Sequence, residues 1–224
     1  MQELRMAYSL LITGGSAPSF LPPLVYERTV CCDSGYDTAR ELGLRPDIVV
    51  GDCDSTKYRE EIIKLGFTPC SHEKDESDTE LGLMRLSDQH HYDLIGGGGG
   101  RLDHLLALFA LFRKYAFPRC WLTASDLILS LKKGTSILTL PLNCDISFFS
   151  LSDTVRVCCD SLVWPLDDYL LDASSMSLSN RTSSTRLEIR SSGDFLARIP
   201  IDKAPFFFET NTANINTCWN FEES

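Results

Sequence analysis

The stretch DIVVGDCDS, residues 47–55, is a short apolar run that ends in glycine and two carboxylates. Three other apolar runs in the first half end in the same kinds of residue, namely glycine, aspartate or serine: 8–13, 28–32 and 92–95. Helix-like patterns lie between the runs, at 36–42, 56–65, 78–86 and 102–115. Apolar strands that alternate with helices are typical of a parallel sheet covered on both faces. The first half is therefore predicted to be an α/β domain, with a ligand site beyond the carboxyl ends of its strands.

After about residue 125 the pattern changes to short, partly alternating segments that are rich in serine, threonine and β-branched residues. We expect strands at 135–140, 146–150, 154–159, 186–190 and 195–199. No long helical pattern occurs among them, and the serine-rich stretch 173–184 is interpreted as a loop. The sequence thus predicts an α/β domain over 1–126, with a mostly parallel sheet flanked by helices, and an antiparallel β-sandwich domain over 127–224.

The composition excludes several classes of partner. The 224 residues include 21 basic and 31 acidic side chains, a formal net charge of −10, so binding to nucleic acid or to an anionic membrane surface is not expected. No signal-peptide pattern is recognised at the start of the chain, and no apolar run approaches the ~20 residues that a membrane span needs. Nine cysteines without a C-x-x-C pair are interpreted as buried thiols of a reducing, cytoplasmic compartment.

Acidic residues are the strongest candidates for chemistry. Asp52 and Asp54, two residues apart on a tight turn, suit a hard cation such as Mg²⁺. The alternative makes Asp52 a turn residue and Asp54 or Ser55 a helix N-cap. Asp33 ends the preceding strand and Asp78 begins a helix, so all four carboxylates are expected to converge. Because converging carboxylates repel one another unless a cation lies among them, the metal interpretation is favoured.

The glycine run 96–100 leads from an apolar strand into an apolar helix. Glycines there allow backbone N–H groups to approach an anion, and the adjacent Arg101 is able to clamp phosphate oxygens. The run is neither G-x-G-x-x-G nor a Walker A loop, and a flexible linker is the alternative. Gly14-Gly15 is a second position for close approach to a nucleotide. For His104, local packing at the helix start is favoured over acid–base catalysis.

In the second half, Trp164 and the pair Ser179-Asn180 are the notable polar and aromatic features. Trp164 is either ordinary core or an aromatic face for a flat or cationic ring. Ser179-Asn180 is either a turn or part of that site, and the pattern does not choose between these alternatives.

In their order along the chain these motifs resemble the thiamine pyrophosphokinase family. The motifs that carry the resemblance are DSG (33–35), LRPD (44–47), GDCDS (51–55), EKDESDTE (73–80), GGRLDH (99–104), WPL (164–166) and SN (179–180). The resemblance implies transfer of the pyrophosphoryl group of ATP to the hydroxyl of thiamine, which yields thiamine diphosphate and AMP. It also implies Mg²⁺ as cofactor and a homodimer with active sites at the subunit interface.

The resemblance implies roles for individual residues. Asp52, Asp54 and Asp78 would bind Mg²⁺, and these three with Arg101 and Asp103 would form the catalytic set. Asp103 and Asp78 are alternative acceptors of the substrate hydroxyl proton. The residues expected to bind the substrates are Gly14, Gly15, Asp33, Gly35, Ser55, Ser77, Gly99 and Gly100 on the nucleotide side and Trp164, Ser179 and Asn180 on the thiamine side.

The chain departs from the family pattern in three places. Ser34 stands where a second glycine is usual, Tyr36-Asp37 replaces Ala-Asn, and 177–181 reads SLSNR where Gly-x-Thr-Ser-Asn-Glu is common.

Two rival functions stay open. Residues 52–56 also fit the D-x-D-x-T pattern of haloacid dehalogenases, which predicts a phosphohydrolase with an aspartyl nucleophile. The second rival is a thiamine- or nucleotide-binding protein without catalytic activity.

Overall fold

A computed structural model describes residues 8–69, 75–86, 91–151 and 153–215, without the side chains of 212–215. The chain divides into two units, Met1–Ala124 and Ser125–Ser224. The sequence had suggested a boundary at 126/127. The roles that the family resemblance implies, ATP and Mg²⁺ binding with catalysis for the first domain and thiamine binding for the second, stay predictions. Glu73 and Lys74 of the motif 73–80 lie outside the described residues.

The first unit is a parallel α/β sheet, as predicted. Its strands have the order β3-β2-β1-β4-β5, and every neighbouring pair is parallel. In chain order the elements are β1 Tyr8–Ile12, β2 Tyr26–Cys32, α1 Gly35–Glu41, β3 Ile48–Val50, α2 Arg59–Lys64, α3 Asp78–Leu83, β4 Tyr92–Ile95, α4 Leu102–Lys114 and β5 Cys120–Leu122. The sequence did not predict β5.

The strand register brings the chemistry-bearing ends together. Ile12 of β1 pairs with Cys31 of β2 and with Ile95 of β4, so these three strands end at the same level. The chain runs from β1 to β2 and β3 on one side and returns to β4 and β5 on the other. The reversal between β1 and β4 leaves a crevice at the carboxyl ends, where open α/β sheets bind ligands.

Helix α3 is held close to the sheet. Ser77 caps the helix by accepting a hydrogen bond from the Glu80 backbone N–H at 3.2 Å, which is the usual role of serine at this position. A Cβ added at Gly82 would contact the Cys32 Sγ and lie 2.7 Å from Leu11 Cδ1. Only glycine permits this approach, which packs the last turn of α3 against β1 and β2.

The second unit is built from antiparallel strands, and the predicted antiparallel sandwich class is confirmed for this half. Its strand orders are β11-β8-β13-β6 and β10-β9-β12-β7. The elements are β6 Asp126–Leu131, β7 Gly134–Thr139, β8 Asp145–Phe149, β9 Val155–Cys159, β10 Leu166–Leu171, β11 Ser177–Arg181, β12 Arg186–Ser191, β13 Phe195–Pro200, a 3-10 turn Ile201–Lys203 and α5 Ala204–Ile215.

Two expectations for this half were wrong. The stretch interpreted as a loop contains β11, which pairs with β8 through Asn180 opposite Ile146. A register shift lies between Ser177 and Asn180, and this irregularity removes the alternation by which a strand is recognised. The expectation that this half lacks a long helix was also wrong. Helix α5 has 12 residues, and its Phe207 and Phe208 are fully buried.

The seven described cysteines are all free thiols, and all except the half-buried Cys158 are buried. Burial raises the pKa of the Cys31, Cys32 and Cys120 thiols, because an apolar environment disfavours the thiolate. The interpretation as buried thiols is confirmed for these residues. The cytoplasmic location stays a prediction. Among the described residues, the longest apolar helix falls short of what is needed to cross a bilayer.

Candidate active site

A cavity of about 600 Å³ opens at the carboxyl ends of β1, β2 and β4. Its walls come from the two glycine loops, from the start of α3 and from one face of α4. The predicted site residues that line it are Gly14, Gly15, Asp33, Ser55, Ser77, Asp78, Gly100, Arg101 and Asp103. The sequence expectation of a ligand site at this edge therefore agrees with a real concavity in the first unit.

The floor of the cavity is glycine backbone. The Gly97 N–H donates to the Gly14 carbonyl at 2.8 Å, and the Ser16 N–H donates to the Gly98 carbonyl at the same distance. Gly15 has a φ of +95°, and a Cβ there would lie 2.8 Å from the Gly98 oxygen. The loops after β1 and β4 are thus joined so closely that a side chain would separate them, which explains the glycines at both strand ends.

Two of the predicted glycines, Gly35 and Gly99, pack closely against neighbouring segments, and their contact with a substrate stays a prediction. Gly35 and Gly99 are not among the residues that line the cavity. A Cβ at Gly35 would contact the Ile12 carbonyl, so this glycine lets α1 begin directly against β1. A Cβ at Gly99 would contact the Ser16 side chain, and its φ of +64° favours glycine in any case.

Three carboxylates form a cluster beside the cavity. Single oxygens of Asp33, Asp52 and Asp54 all lie within 4.8 Å of one another. Asp33 and Cys53 adopt left-handed backbone conformations, with φ of 47° and 57°, and these turn the two strand ends towards each other. Burial raises the pKa of Asp33, and the Asp78 charge adds to this against hydrogen bonds from Ser34 and Ser55. Such a carboxylate is costly to ionise without a nearby cation.

Asp78 approaches the cluster across Gly51. A Cβ added at Gly51, whose φ is +117°, would lie 3.1 Å from the Asp78 carboxyl and 3.2 Å from Asp33 Cβ. The sequence predicted Asp52, Asp54 and Asp78 as the metal ligands. The three carboxylates whose oxygens lie within 4.8 Å of one another are Asp33, Asp52 and Asp54. Asp33 and Asp78 line the cavity, and Asp52 and Asp54 are not among its lining residues.

The unusual pair Tyr36-Asp37 anchors the acidic loop. Tyr36 is buried and its hydroxyl donates to Glu61 Oε1 at 2.9 Å, which ties α1 to α2. The Asp37 carboxylate accepts from the Thr56 hydroxyl, and from the Lys57 N–H at 3.3 Å. Tyr36 and Asp37, which differ from the usual family residues, therefore both hydrogen-bond to the segment 56–61 that follows the acidic turn.

Arg101 and Asp103 form a pair at the exposed side of the cavity. The guanidinium donates to both carboxylate oxygens, from Nε at 3.1 Å and from the terminal nitrogen at 2.5 Å. The Arg101 hydrogen bond lowers the pKa of Asp103. The His104 N–H also donates to Asp103, at 3.1 Å, and His104 itself lines the cavity. Asp103 is thus stabilised as a carboxylate, which makes it a weak proton acceptor.

Sequence reasoning missed the threonines that join β1 to α3. Thr13 and Thr79 line the cavity and share a hydrogen bond of 2.7 Å between their hydroxyls. Leu108 and Leu111 form an apolar wall on α4. The threonines lie next to recognised motifs, but a hydroxyl pair 66 residues apart leaves no signal in a single sequence.

In the second unit, the side-chain amide of Asn180 binds the backbone of Trp164. The Asn180 amide donates to the Trp164 carbonyl at 2.7 Å, and its oxygen accepts the Trp164 N–H at 3.2 Å and the Arg181 N–H at 2.8 Å. Asn180 is 3% exposed, whereas Trp164 is 55% exposed. Trp164 is therefore not core, and the Arg181 guanidinium lies 5.4 Å from its ring centroid. Ser179 has a left-handed φ of 55° at the bulge of β11.

Comparisons with known proteins agree with the motifs. Residues 26–123 match a family model described as "Thiamin pyrophosphokinase, catalytic domain". The thiamin pyrophosphokinase of Geobacillus thermodenitrificans is 26% identical, with a TM-score of 0.66, over 86% of this chain and 96% of that one. A thiamin pyrophosphokinase family protein of Enterococcus faecalis is 23% identical (TM-score 0.70; 88% and 100% covered), which shows the fold alone. A search of the curated proteins found no match.

Proposed function

We propose, from the premise that residues 26–123 belong to the thiamin pyrophosphokinase catalytic-domain family, that this chain transfers the pyrophosphoryl group of ATP to the hydroxyl of thiamine. The products are thiamine diphosphate and AMP. The observation that supports this most is the coincidence of the family segment with the cavity at the β1/β4 reversal, where glycine backbone faces a group of carboxylates. Transfer at phosphorus needs positioning and charge neutralisation more than a covalent nucleophile.

The glycine loops and Arg101 are proposed to hold the polyphosphate of ATP. Backbone at Gly14, Gly15 and Gly98 approaches the cavity without side chains between it and a ligand. Arg101 is exposed at the cavity rim, and its planar fork suits phosphate oxygens. Binding would exchange part of the Arg101–Asp103 pair for phosphate contacts, and both groups stay solvated in the free protein.

The carboxylate cluster fits Mg²⁺. Three carboxylate oxygens within 4.8 Å of one another are hard ligands of the type that this ion prefers, and the raised pKa of the partly buried Asp33 indicates an unfavourable site without a cation. We propose Asp33, Asp52 and Asp54 as the residues that would hold it, with Asp78 beside them. When bound, Mg²⁺ would neutralise charge on the phosphate oxygens.

The hydroxyl of thiamine must lose a proton as it attacks phosphorus. Asp78 and Asp103 both line the cavity. The hydrogen bond from Arg101 lowers the pKa of Asp103 in the free protein. Because bound ATP would draw Arg101 towards its phosphates, Asp78 and Asp103 stay alternative acceptors of this proton. The exposed face of Trp164 is proposed to receive the cationic ring of thiamine, with Arg181 displaced from it.

A homodimer with active sites at its interface stays a proposal from the family resemblance, to be tested by the molecular mass of the protein in solution.

The decisive experiment measures AMP and thiamine diphosphate made by the purified protein with ATP, Mg²⁺ and thiamine. We expect equal amounts of both products, and none when thiamine or Mg²⁺ is omitted. Phosphate release from ATP or sugar phosphates without thiamine would instead support the phosphohydrolase that uses Asp52 and Asp54. Saturable binding of thiamine or ATP without AMP would support the inactive binding protein.

A further inference from the structure

One side chain of α2 holds the backbone on which two of the clustered carboxylates stand. The Arg59 guanidinium donates from one nitrogen to the Asp52 carbonyl at 2.8 Å and to the Cys53 carbonyl at 3.3 Å. These two consecutive carbonyls frame the peptide units between Asp52 and Asp54. A single planar cation thus determines how both peptide units are oriented.

The backbone between these two carboxylates needs such a restraint. Cys53 has a φ of 57°, a left-handed conformation that is unfavourable for a residue with a side chain. The thiol of Cys53 is buried, at 2% exposure, so the turn places an apolar group inwards and the flanking carboxylates outwards. Short bonds within the loop, from the Asp54 N–H to Asp52 Oδ1 at 3.2 Å and from Ser55 to Asp54 at 2.8 Å, connect only exposed groups.

We propose that Arg59 is a positioning residue for the cation site: it holds residues 52–54 in the left-handed turn that brings Asp52 and Asp54 to Asp33. The inference rests on the proposed function, because it concerns the Mg²⁺ of that reaction. Asp37 supports the other end of the same loop through Thr56 and Lys57. Arg59 is not among the residues that line the cavity, so its effect on the reaction would pass through Asp52 and Asp54.

The sign of the effect separates this role from simple electrostatics. A positive charge beside three carboxylates weakens cation binding by repulsion, so its removal alone would strengthen Mg²⁺ binding. If Arg59 instead holds the turn, its removal weakens Mg²⁺ binding, because Asp52 and Asp54 no longer stay near Asp33. The two roles therefore predict changes in opposite directions.

The test compares Arg59→Met and Arg59→Lys with Lys57→Met, a control that removes a positive charge from the same loop. Lys57 is exposed, and among the described residues the structure shows a hydrogen bond from its backbone N–H but none from its side chain. Mg²⁺ binding is measured by calorimetry without nucleotide, and the alkylation rate of Cys53 is followed by peptide mass spectrometry in metal-free protein. Circular dichroism establishes that each variant is folded.

For Arg59→Met we expect a Kd for Mg²⁺ about tenfold higher, the order expected for a lost hydrogen bond to a charged group, and faster alkylation of Cys53. Arg59→Lys should recover part of both, and Lys57→Met should leave alkylation unchanged and bind Mg²⁺ equally or slightly more tightly. Unchanged or tighter Mg²⁺ binding by Arg59→Met, with normal alkylation, would overturn the proposal. Because neither readout needs turnover, a wild-type protein that binds Mg²⁺ but makes no AMP would defeat the proposed function alone.

Discussion

We predict that loss of the buried ion pair between Asp93 and Arg119 lowers the free energy of unfolding far more than loss of an exposed ion pair does. This pair lies at the amino-terminal ends of strands β4 and β5 of the first unit. Asp93 of β4 is fully buried and accepts from Arg119, whose Nε lies at 2.9 Å and whose terminal nitrogen lies at 2.5 Å. The Tyr26 hydroxyl at 2.9 Å and the Cys120 N–H at 3.1 Å complete its donors. The Arg119 guanidinium also stacks 3.7 Å from the Tyr8 ring centroid.

The perturbation is Arg119→Met, which keeps most of the volume and removes the charge. The Asp93 carboxylate would keep two neutral donors but lose its counter-ion at 0% exposure. Removal of one partner from such a pair costs about 3–5 kcal/mol, a large part of the ~5–15 kcal/mol that stabilises a typical domain. The matched control is Asp194→Ala. It breaks the pair of Lys132 and Asp194, whose side chains are 36% and 55% exposed and which contributes about 0–1 kcal/mol. It also removes the hydrogen bond from the Lys133 N–H to Asp194 at 2.9 Å, which contributes about 1 kcal/mol.

The assay is urea unfolding followed by circular dichroism for the wild type, the control Asp194→Ala, the single variants Arg119→Met and Asp93→Leu, and the double variant Asp93→Leu/Arg119→Met. The two side chains form one ion pair, so each single substitution leaves the other charge buried without its partner. The free energy of unfolding lost by the double variant should therefore be smaller than the sum of the losses of the two single variants, by about 1–3 kcal/mol. If Arg119→Met costs no more than Asp194→Ala, or if the two substitutions at the buried pair are additive, the reasoning from burial is refuted.

Three further predictions concern turnover, the edge of the second unit and alkaline stability. Asp54→Asn should lower the rate of AMP formation at least ~100-fold with an unchanged circular dichroism spectrum, because it removes charge from the proposed cation site. Asn211→Ala should lower the free energy of unfolding by about 1–3 kcal/mol, because the buried Asn211 amide pairs at 2.8 Å with both the N–H and the carbonyl of Thr139 on the edge strand β7. Stability in reducing buffer should fall as the pH rises above the unfolded-state thiol pKa of about 8.5, and Cys120→Ala should reduce this slope.

The sign of the last effect follows from burial. The folded-state pKa of Cys31 and Cys120 is raised, so the unfolded chain loses its thiol protons first. The contribution is complete below the unfolded pKa and is lost as the pH rises towards the folded pKa, by about 1.4 kcal/mol per pH unit for each thiol. A flat stability profile from neutral pH to about pH 10 would contradict the burial of these thiols. Near-normal turnover of Asp54→Asn would remove Asp54 from the cation site, and an unchanged unfolding midpoint for Asn211→Ala would show that the edge of β7 does not need it.

Much of the first unit was predictable because its strands are buried on both faces. The strands YSLLI and YDLI are buried at every position, and a sheet covered by helices on both faces accommodates such strands. Parallel strands end at one edge, so polar residues that follow separate runs were bound to gather there. The second unit was less predictable: a bulge hides the period of β11, and the helical position of Phe207 and Phe208 depends on what buries them.

From the amino-acid order alone follow the α/β class of the first half, the edge at which the candidate site lies and the acidic and glycine-rich motifs found there. Local periodicity and strand direction are sufficient to derive them. The membership of the carboxylate cluster was a matter of three-dimensional packing. Asp33 joins Asp52 and Asp54 through two left-handed residues, and Asp78 remains across Gly51. Which carboxylates meet depends on contacts between distant segments, for example the approach of Asp78 to Gly51 and the hydrogen bond between Thr13 and Thr79. These contacts form only when the chain is folded.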